Sequence, residues 1–209
     1  MGIQERKERE RAELKELILL KAKDILIHEG QEKLSIRRLA QAVEYSPATI
    51  YLYFADKDEI MHELMEMGFS LMNKAMDDAF SEPDPVLRIR KIGHAYVHFG
   101  LQNKDWYDLM FVSEQPMNHI DKCKSEWGHG IGLFEYLSAT CKEAISIYSF
   151  NPEIDPRILA LNLWSIVHGL VTLAQSQRLD IVEKDRTEEL IESTLNMTIS
   201  VMFRKSDNA

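Results

Sequence analysis

Apolar residues recur at three- and four-residue spacing along almost the whole chain. Between residues 10 and 28, Leu14, Leu17, Ile18, Ala22, Ile25 and Leu26 share one face, the period of an amphipathic helix. Gly30, just beyond His28 and Glu29, is a natural helix stop. Ser35 caps a short second helix through Val43, with Ile36, Leu39, Ala40 and Val43 inward. The next stretch, EYSPATIYLYFADKDE (44–59), packs three aromatic rings into four residues and tempts a strand reading. Ser46 followed by Pro47 argues otherwise. It is an N-cap with proline at the first helical position, where no backbone donor is lost. The pattern predicts a helix from Pro47, with Ile50 and Phe54 on one face and Tyr51 and Tyr53 to either side. Asp56 and Glu59 predict a capping box for a further helix through Ile60, Leu64, Met67, Leu71 and Met76.

Downstream, SEPDPV (81–86) breaks the pattern, and Asp84-Pro85 restarts a helix to about Leu101. A turn at Asn103–Asp105 leads to a short helix over Trp106–Phe111. After SEQPMNH a long helix is expected over roughly 121–148, its pattern interrupted by Gly128, Gly130 and Gly132. Asp155-Pro156 opens a helix over 156–177, and a last one covers 185–204. No stretch reads as strand, repeat or low complexity. The expected fold is all-α with about nine helices. Residues 10–54 form a helix-turn-helix with a supporting first helix. The expected division is a domain at 1–55 and another at 56–209, with 56–80 a connecting helix.

At 209 residues the chain can hold one good core, or a small domain joined to a larger one. Hydrophobic residues make up 45% and charged residues 28%, an ordinary globular balance. The apolar stretches 158–163 and 166–174 are broken by Asn162, Ser165 and His168, so no span of the roughly 20 residues a membrane helix needs is expected. The densely charged N-terminus lacks the apolar run of a secretory signal, so a cytoplasmic protein is expected. Cys123 and Cys141 lack zinc-site spacing and read as reduced thiols. Net charge is −9, mildly against nucleic-acid binding by the whole chain. The acidity is uneven, however. Residues 1–60 balance to −1 and the remaining 149 to −8, while Lys33–Phe54 balances to +2. Two functional parts are indicated.

The stretch LSIRRLAQAVEYSPATIYLYFADKDEIMHELM resembles the DNA-binding domain of the TetR/AcrR family of transcriptional regulators. The resemblance rests on Leu39, Ala40, Ser46, Ala48, Thr49, Ile50, Tyr51, Tyr53, Phe54, Lys57 and Ile60, and covers residues 10–65. Glu44 departs from it, standing where the family commonly has Gly in the turn, and Tyr45 replaces the usual Val. A non-Gly residue there is strained if its φ is positive, and Tyr45 could be partly exposed. The resemblance implies that residues 47–54 are the recognition helix. Such a helix needs short side chains at base edges and donors at phosphates. Ser46, Pro47, Ala48 and Thr49 lie at its N-terminal end, which favours a phosphate. Ala48 and Thr49 are small enough to reach base edges or thymine methyls. Tyr51, Tyr53, Lys57, Ser35 and Arg37 can bond phosphates. The tyrosines could instead pack on the first and fourth helices. Arg38 fits a phosphate contact or a solvated face equally, and the charged run 4–11 reads as a solvated face.

A second stretch, LNLWSIVHGLVTLA (161–174), resembles the Trp-x-x-x-His-Gly motif of one C-terminal subgroup of that family. Trp164 and His168 share a face at i, i+4, and Gly169 admits a close helix. His168 reads as a satisfied core histidine stacked on Trp164 in preference to a ligand or proton sensor. The family implies a dimer, with 156–177 and 185–204 pairing with a second copy, an operator DNA partner and a small-molecule effector. Tyr96, Phe99, Trp106, Met110, Phe111, Trp127 and Phe134 could line an apolar effector pocket with Trp164 and His168, or could be core. His94 and His98, also i, i+4, lack a further ligand, so no metal is expected. HEGQE (28–32) does not match HExxH, and no Gly-rich phosphate loop or GxSxG occurs, so neither catalysis nor a cofactor is expected.

Overall fold

The computed structural model describes residues 2–112, 128–148 and 154–203. It is all-α, with no strand among the described residues. These residues fall into two compact units, 2–67 with Val112, and 68–111 with 128–148 and 154–203.

The first unit opens with α1 (Ile3–His28), which starts seven residues before the expected position. The charged N-terminal run is helical because its charges alternate at helical spacing. Arg6 pairs with Glu10 at 2.7 Å and Arg9 with Glu13 at 3.4 Å, both i, i+4. α1 ends where Gly30 takes a left-handed φ of 86°. A single tight turn at Gln31–Lys33 leads to α2 (Ile36–Ala42) and α3 (Pro47–Tyr51). Ile18, Ala22, Leu39, Ala40, Ile50 and Phe54 are all buried and form the core of this unit.

The turn between α2 and α3 places Glu44 at φ 59°, the left-handed region. The turn is held by Tyr45 N–H donating to the Ala40 carbonyl at 3.0 Å. An L residue there costs about 1–2 kcal/mol, against about 0.5–1 kcal/mol of chain entropy for Gly. Glu44→Gly is therefore expected to raise the free energy of unfolding by about 0.5–1 kcal/mol, measured by thermal or urea unfolding. A clear loss of stability would show that the turn is not strained.

The helix α4 (Lys57–Ala75) runs from the first unit into the second. Asp56 caps it, accepting from Glu59 N–H at 2.9 Å. The expected reciprocal bond falls one residue earlier: Glu59 accepts from Ala55 N–H at 2.5 Å.

The second unit adds α5 (Asp77–Phe80), α6 (Pro85–Gln102), α7 (Lys104–Tyr107), a π-type turn at Asp108–Val112, α8 (Gly128–Ile147), α9 (Pro156–Gln175), α10 (Leu179–Val182) and α11 (Thr187–Met202). Eleven α-helices are therefore described. The excess over nine lies in the single turns α5 and α10, too short for a periodic signal. Asp84 caps α6 by accepting from Val86 and Leu87 N–H, and Asp155 caps α9 by accepting from Arg157 N–H at 2.8 Å. Both caps precede proline, as the sequence predicts. The glycines at 128, 130 and 132 do not break α8.

α6, α8 and α9 pack against one another, and α11 packs against α6 and α9. α9 has the length and apolarity of a membrane span, with a mean hydropathy of 1.5 over its apolar window. That corrects the expectation that no stretch comes near one. Asn162, Ser165 and His168 are too few to lower the average. Leu159, Ala160, Leu163, Leu170 and Val171 are nonetheless buried here, and α6, α8 and α11 pack against α9. It is the core helix of this unit.

Candidate nucleic-acid interface and ligand site

α3 is a short helix set at its start by Ser46, whose Oγ accepts from Thr49 N–H at 3.2 Å. The Ser46 and Thr49 hydroxyls lie 2.9 Å apart. Ile50 is 0% exposed and anchors the helix inward, while Ser46, Pro47 and Ala48 are exposed and Thr49 is half-buried. Tyr51 is 57% exposed. Tyr53 is half-buried, with the Arg11 guanidinium 5.8 Å above its ring. That packing against α1 was one of the two readings open for the tyrosines. Lys57 stands half-buried in the first turn of α4. Ser35 caps α2, accepting from Arg38 N–H at 3.1 Å, and Arg37 is exposed. Arg38 makes a bidentate pair with Glu29. The pair raises the arginine pKa and lowers that of Glu29, mainly through the hydrogen bonds between them. Its fork is therefore engaged within the unit.

Of two exposed apolar residues here, Tyr45 was expected to be partly exposed and Leu52 was not singled out from the sequence. Leu52 is 72% exposed and Tyr45 is also exposed. With Lys7, Arg11, Leu14 and Tyr53 they line an open groove between α1 and the α2–α3 region. Only the lateral position of α1 creates it, and no local pattern encodes that.

In the second unit, the expected pocket residues separate into two groups. Phe99, Trp106 and Met110 are buried in close packing. A Cβ added at Gly68 would lie 2.6 Å from Met110 Sδ and 3.3 Å from Trp106. Tyr96, Phe111, Phe134, Trp164 and His168 instead form one aromatic cluster. Trp127 lies outside the described residues. Sequence reading missed the residue at the centre of this cluster, Tyr107, which is 0% exposed. Its ring stacks on His168 at 5.5 Å and 26°. Trp164 meets His168 edge-on at 6.4 Å, so the expected Trp164–His168 stack is replaced by Tyr107 on His168. Burial raises the Tyr107 pKa to about 12, raises that of Tyr96 further, and lowers that of His168. At neutral pH all three are therefore uncharged.

A cavity of about 60 Å³ between α6, α8, α9 and α11 reaches Tyr96 and Trp164, with Ile89, Leu163, Val167 and Leu195 around it. A Cβ on Gly169 would meet nothing within 4 Å, so the close helix expected there is not one from this chain's described residues. His94 Nδ1 lies 3.2 Å from Glu192, and no group of three or more potential metal ligands occurs among the described residues. Burial raises the Cys141 thiol to about 12, which makes it inert.

A capped helix-turn-helix unit followed by a separate all-helical unit defines a helix-turn-helix transcriptional regulator. The profile described as bacterial regulatory proteins, tetR family, matches residues 18–64. The profile described as tetracyclin repressor-like, C-terminal domain, matches residues 89–198, more than half of the chain. The chain belongs to the TetR family of DNA-binding transcriptional regulators.

An uncharacterized helix-turn-helix-type transcriptional regulator of Haemophilus influenzae is 27% identical over 116 residues, 55% of this chain. That match spans 62% of the relative's own length, less than two thirds of it. A Rhodococcus sp. RHA1 protein of unknown function shares the fold with a TM-score of 0.71 and 22% identity, over 91% of this chain and 96% of that one. The fatty acid degradation regulator FadR of Bacillus halodurans shares it with a TM-score of 0.66 and 14% identity, over 92% and 97%.

Proposed function

We propose that the protein is a cytoplasmic homodimeric repressor that binds a pseudo-palindromic operator and is released from it by a small apolar effector. The observation that carries the DNA-binding part is the exposed start of α3. Ser46, Pro47 and Ala48 face solvent while Ile50 and Phe54 lock the helix from behind. Small side chains on a rigidly held helix end are what a major groove admits. In this reading Ala48 and Thr49 read bases, and Ser35, Arg37, Ser46, Tyr51, Tyr53 and Lys57 hold phosphates. Dimerisation is supported by apolar side chains left exposed on α9 and α11: Ile158, Leu161, Leu173, Met197 and Val201. Two recognition helices would then enter successive major grooves about 34–36 Å apart.

The effector reading is supported by the aromatic cluster of the second unit. Binding is linked, so effector and DNA weaken each other's affinity by the same factor. The test is selection of bound duplexes from random DNA by the purified apo protein at one near-physiological salt. An enriched inverted repeat is expected, released when an effector binds. Failure to enrich any motif, from protein shown to be folded and dimeric, would overturn the reading.

Lys57→Ala and Tyr51→Phe are expected to weaken binding to all duplexes alike. For Lys57→Ala the slope of log affinity against log salt becomes shallower by about one per half-site. An unchanged slope in a salt titration would remove Lys57 from the interface.

A further inference from the structure

The cavity between α6, α8, α9 and α11 has a wall that the fold does not require. Gly93 stands in that wall, in the middle of α6. Glycine inside a helix is destabilising relative to alanine, because it has more backbone freedom to lose. Its φ is not positive, so the backbone does not demand it. Close packing is the other reason to keep a glycine, and it holds elsewhere in this unit. A Cβ at Gly68 would lie 2.6 Å from Met110 Sδ, and one at Gly100 would lie 2.7 Å from Val171. At Gly93 a Cβ would meet only Val167 at 3.6 Å and Leu195 at 3.7 Å, ordinary van der Waals contacts. Both residues belong to the cavity wall. A methyl group at this position would therefore stand in the cavity and fill part of it. The missing side chain keeps the space open.

The space combines an apolar body with a charged edge. Ile89, Leu163, Val167 and Leu195 are buried around it. The polar tips of its two aromatic residues are already satisfied. Trp164 Nε1 donates to Tyr96 Oη at 3.1 Å, and Tyr96 Oη lies 3.3 Å from both Tyr107 Oη and His168 Nδ1. At about 60 Å³ the cavity is under half the roughly 150 Å³ that holds a benzene, which leaves room for about three carbons. Arg90 also lines it and is exposed. Its guanidinium comes only within 4.0 Å of Glu192, beyond hydrogen-bonding distance, while His94 Nδ1 lies 3.2 Å from the same carboxylate. The Arg90 fork can therefore receive another carboxylate. None of the exposed apolar side chains of α9 and α11 lines the cavity, so it is separate from the surface offered to a second copy.

We propose that this cavity binds a short aliphatic carboxylate, with a tail of about three carbons beside Gly93 and the carboxylate on the Arg90 guanidinium. This rests on the effector reading above and names the chemical class of the effector. Burial of the tail favours binding in proportion to its apolar area. The charged head stays at the exposed edge, which avoids the desolvation cost of an ion pair deep inside.

The test titrates the full chain with butanoate, butanamide and acetate. Methyl NMR of protein labelled at Ile, Leu and Val reads affinity and place together. Butanoate is expected to shift the methyls of Leu163, Val167 and Leu195. It should bind about tenfold more tightly than acetate, which lacks two methylenes. Butanamide has the same shape without the charge and should bind about threefold more weakly than butanoate. Gly93→Ala should melt no lower than the wild type and weaken butanoate about fourfold or more. Arg90→Met, which keeps an apolar stem, should erase the preference for butanoate over butanamide. Wild-type affinity for butanoate in Gly93→Ala overturns the site, as do shifts confined to methyls away from the cavity. Equal binding of butanoate and butanamide to the wild type overturns the carboxylate class. Release of the selected operator by butanoate from the wild type but not from Gly93→Ala supports both the site and the effector reading. Binding in the cavity without release keeps the site and overturns its part as the effector site. No shift with butanoate overturns the site, and release of the operator by a larger apolar compound then leaves the effector reading standing.

Discussion

Ala48→Glu is expected to abolish operator binding at near-physiological salt while leaving the fold in place. Ala48 is exposed on the first turn of α3, next to the Ser46–Thr49 cap. The folded protein has no reason to resist the change, because a carboxylate in the first turn of a helix is mildly stabilising. The whole effect should therefore fall on the complex. A groove between two phosphate ribbons meets the new charge with like charge, and like charges set together at an interface cost several kcal/mol. Even about 2 kcal/mol per half-site gives roughly a thousandfold loss for two copies. Ala48→Ser, nearly the same size and uncharged, should stay within about tenfold. Gel shift or fluorescence anisotropy on the selected duplex separates these outcomes, with circular dichroism as the folding control. If Ala48→Glu binds within a few-fold of the wild type, α3 does not enter the groove.

The helix and its outward face could be read from residues 44–59 alone, for a local reason, while its entry into a groove was implied by the family resemblance over residues 10–65. A serine followed by proline fixes a helix start whatever lies elsewhere, and Ile50 with Phe54 fixes which face turns inward. The positive φ of Glu44 was legible only through the resemblance, because the family commonly places Gly at that turn, and the structure puts φ at 59°. What was not legible depends on distant contacts or broken register. Arg38 could have faced a phosphate or solvent until the fold brought Glu29 to it across the α1–α2 turn. The start of α1 was set too late because its first residues carry no apolar stripe, only ion pairs.

Tyr107 was missed for a sharper reason. Residues 106–111 were read as one short helix, and Trp106, Met110 and Phe111 were chosen from it as aromatic or methionine side chains rather than as a face. The π-type turn at Asp108–Val112 inserts extra rotation there. The helical wheel no longer tells which side chain points at α9. The partner that gives Tyr107 its meaning, His168, is 61 residues away.

The same position carries the largest stability effect expected in the second unit. Tyr107→Ala removes a fully buried ring that stacks on His168, lies 4.9 Å from Phe111 and touches the backbone approach at Gly100. Truncating a buried aromatic costs about 3–5 kcal/mol through lost burial and the cavity left behind. The change also strips His168 Nδ1 of its 2.6 Å hydrogen-bond partner. For a chain of this size each kcal/mol lowers Tm by about 2–4 °C, so a fall of roughly 6–20 °C is expected. Tyr107→Phe keeps the ring and loses only the hydroxyl, and about 1–2 kcal/mol with it. The two variants together separate packing from hydrogen bonding. If Phe costs as much as Ala, the hydroxyl line through Tyr96 and His168 holds the unit together and the ring is secondary. If Ala costs no more than Phe, the cluster has collapsed into the space, and the Tyr107 ring contributes little to the rigidity that orients His168.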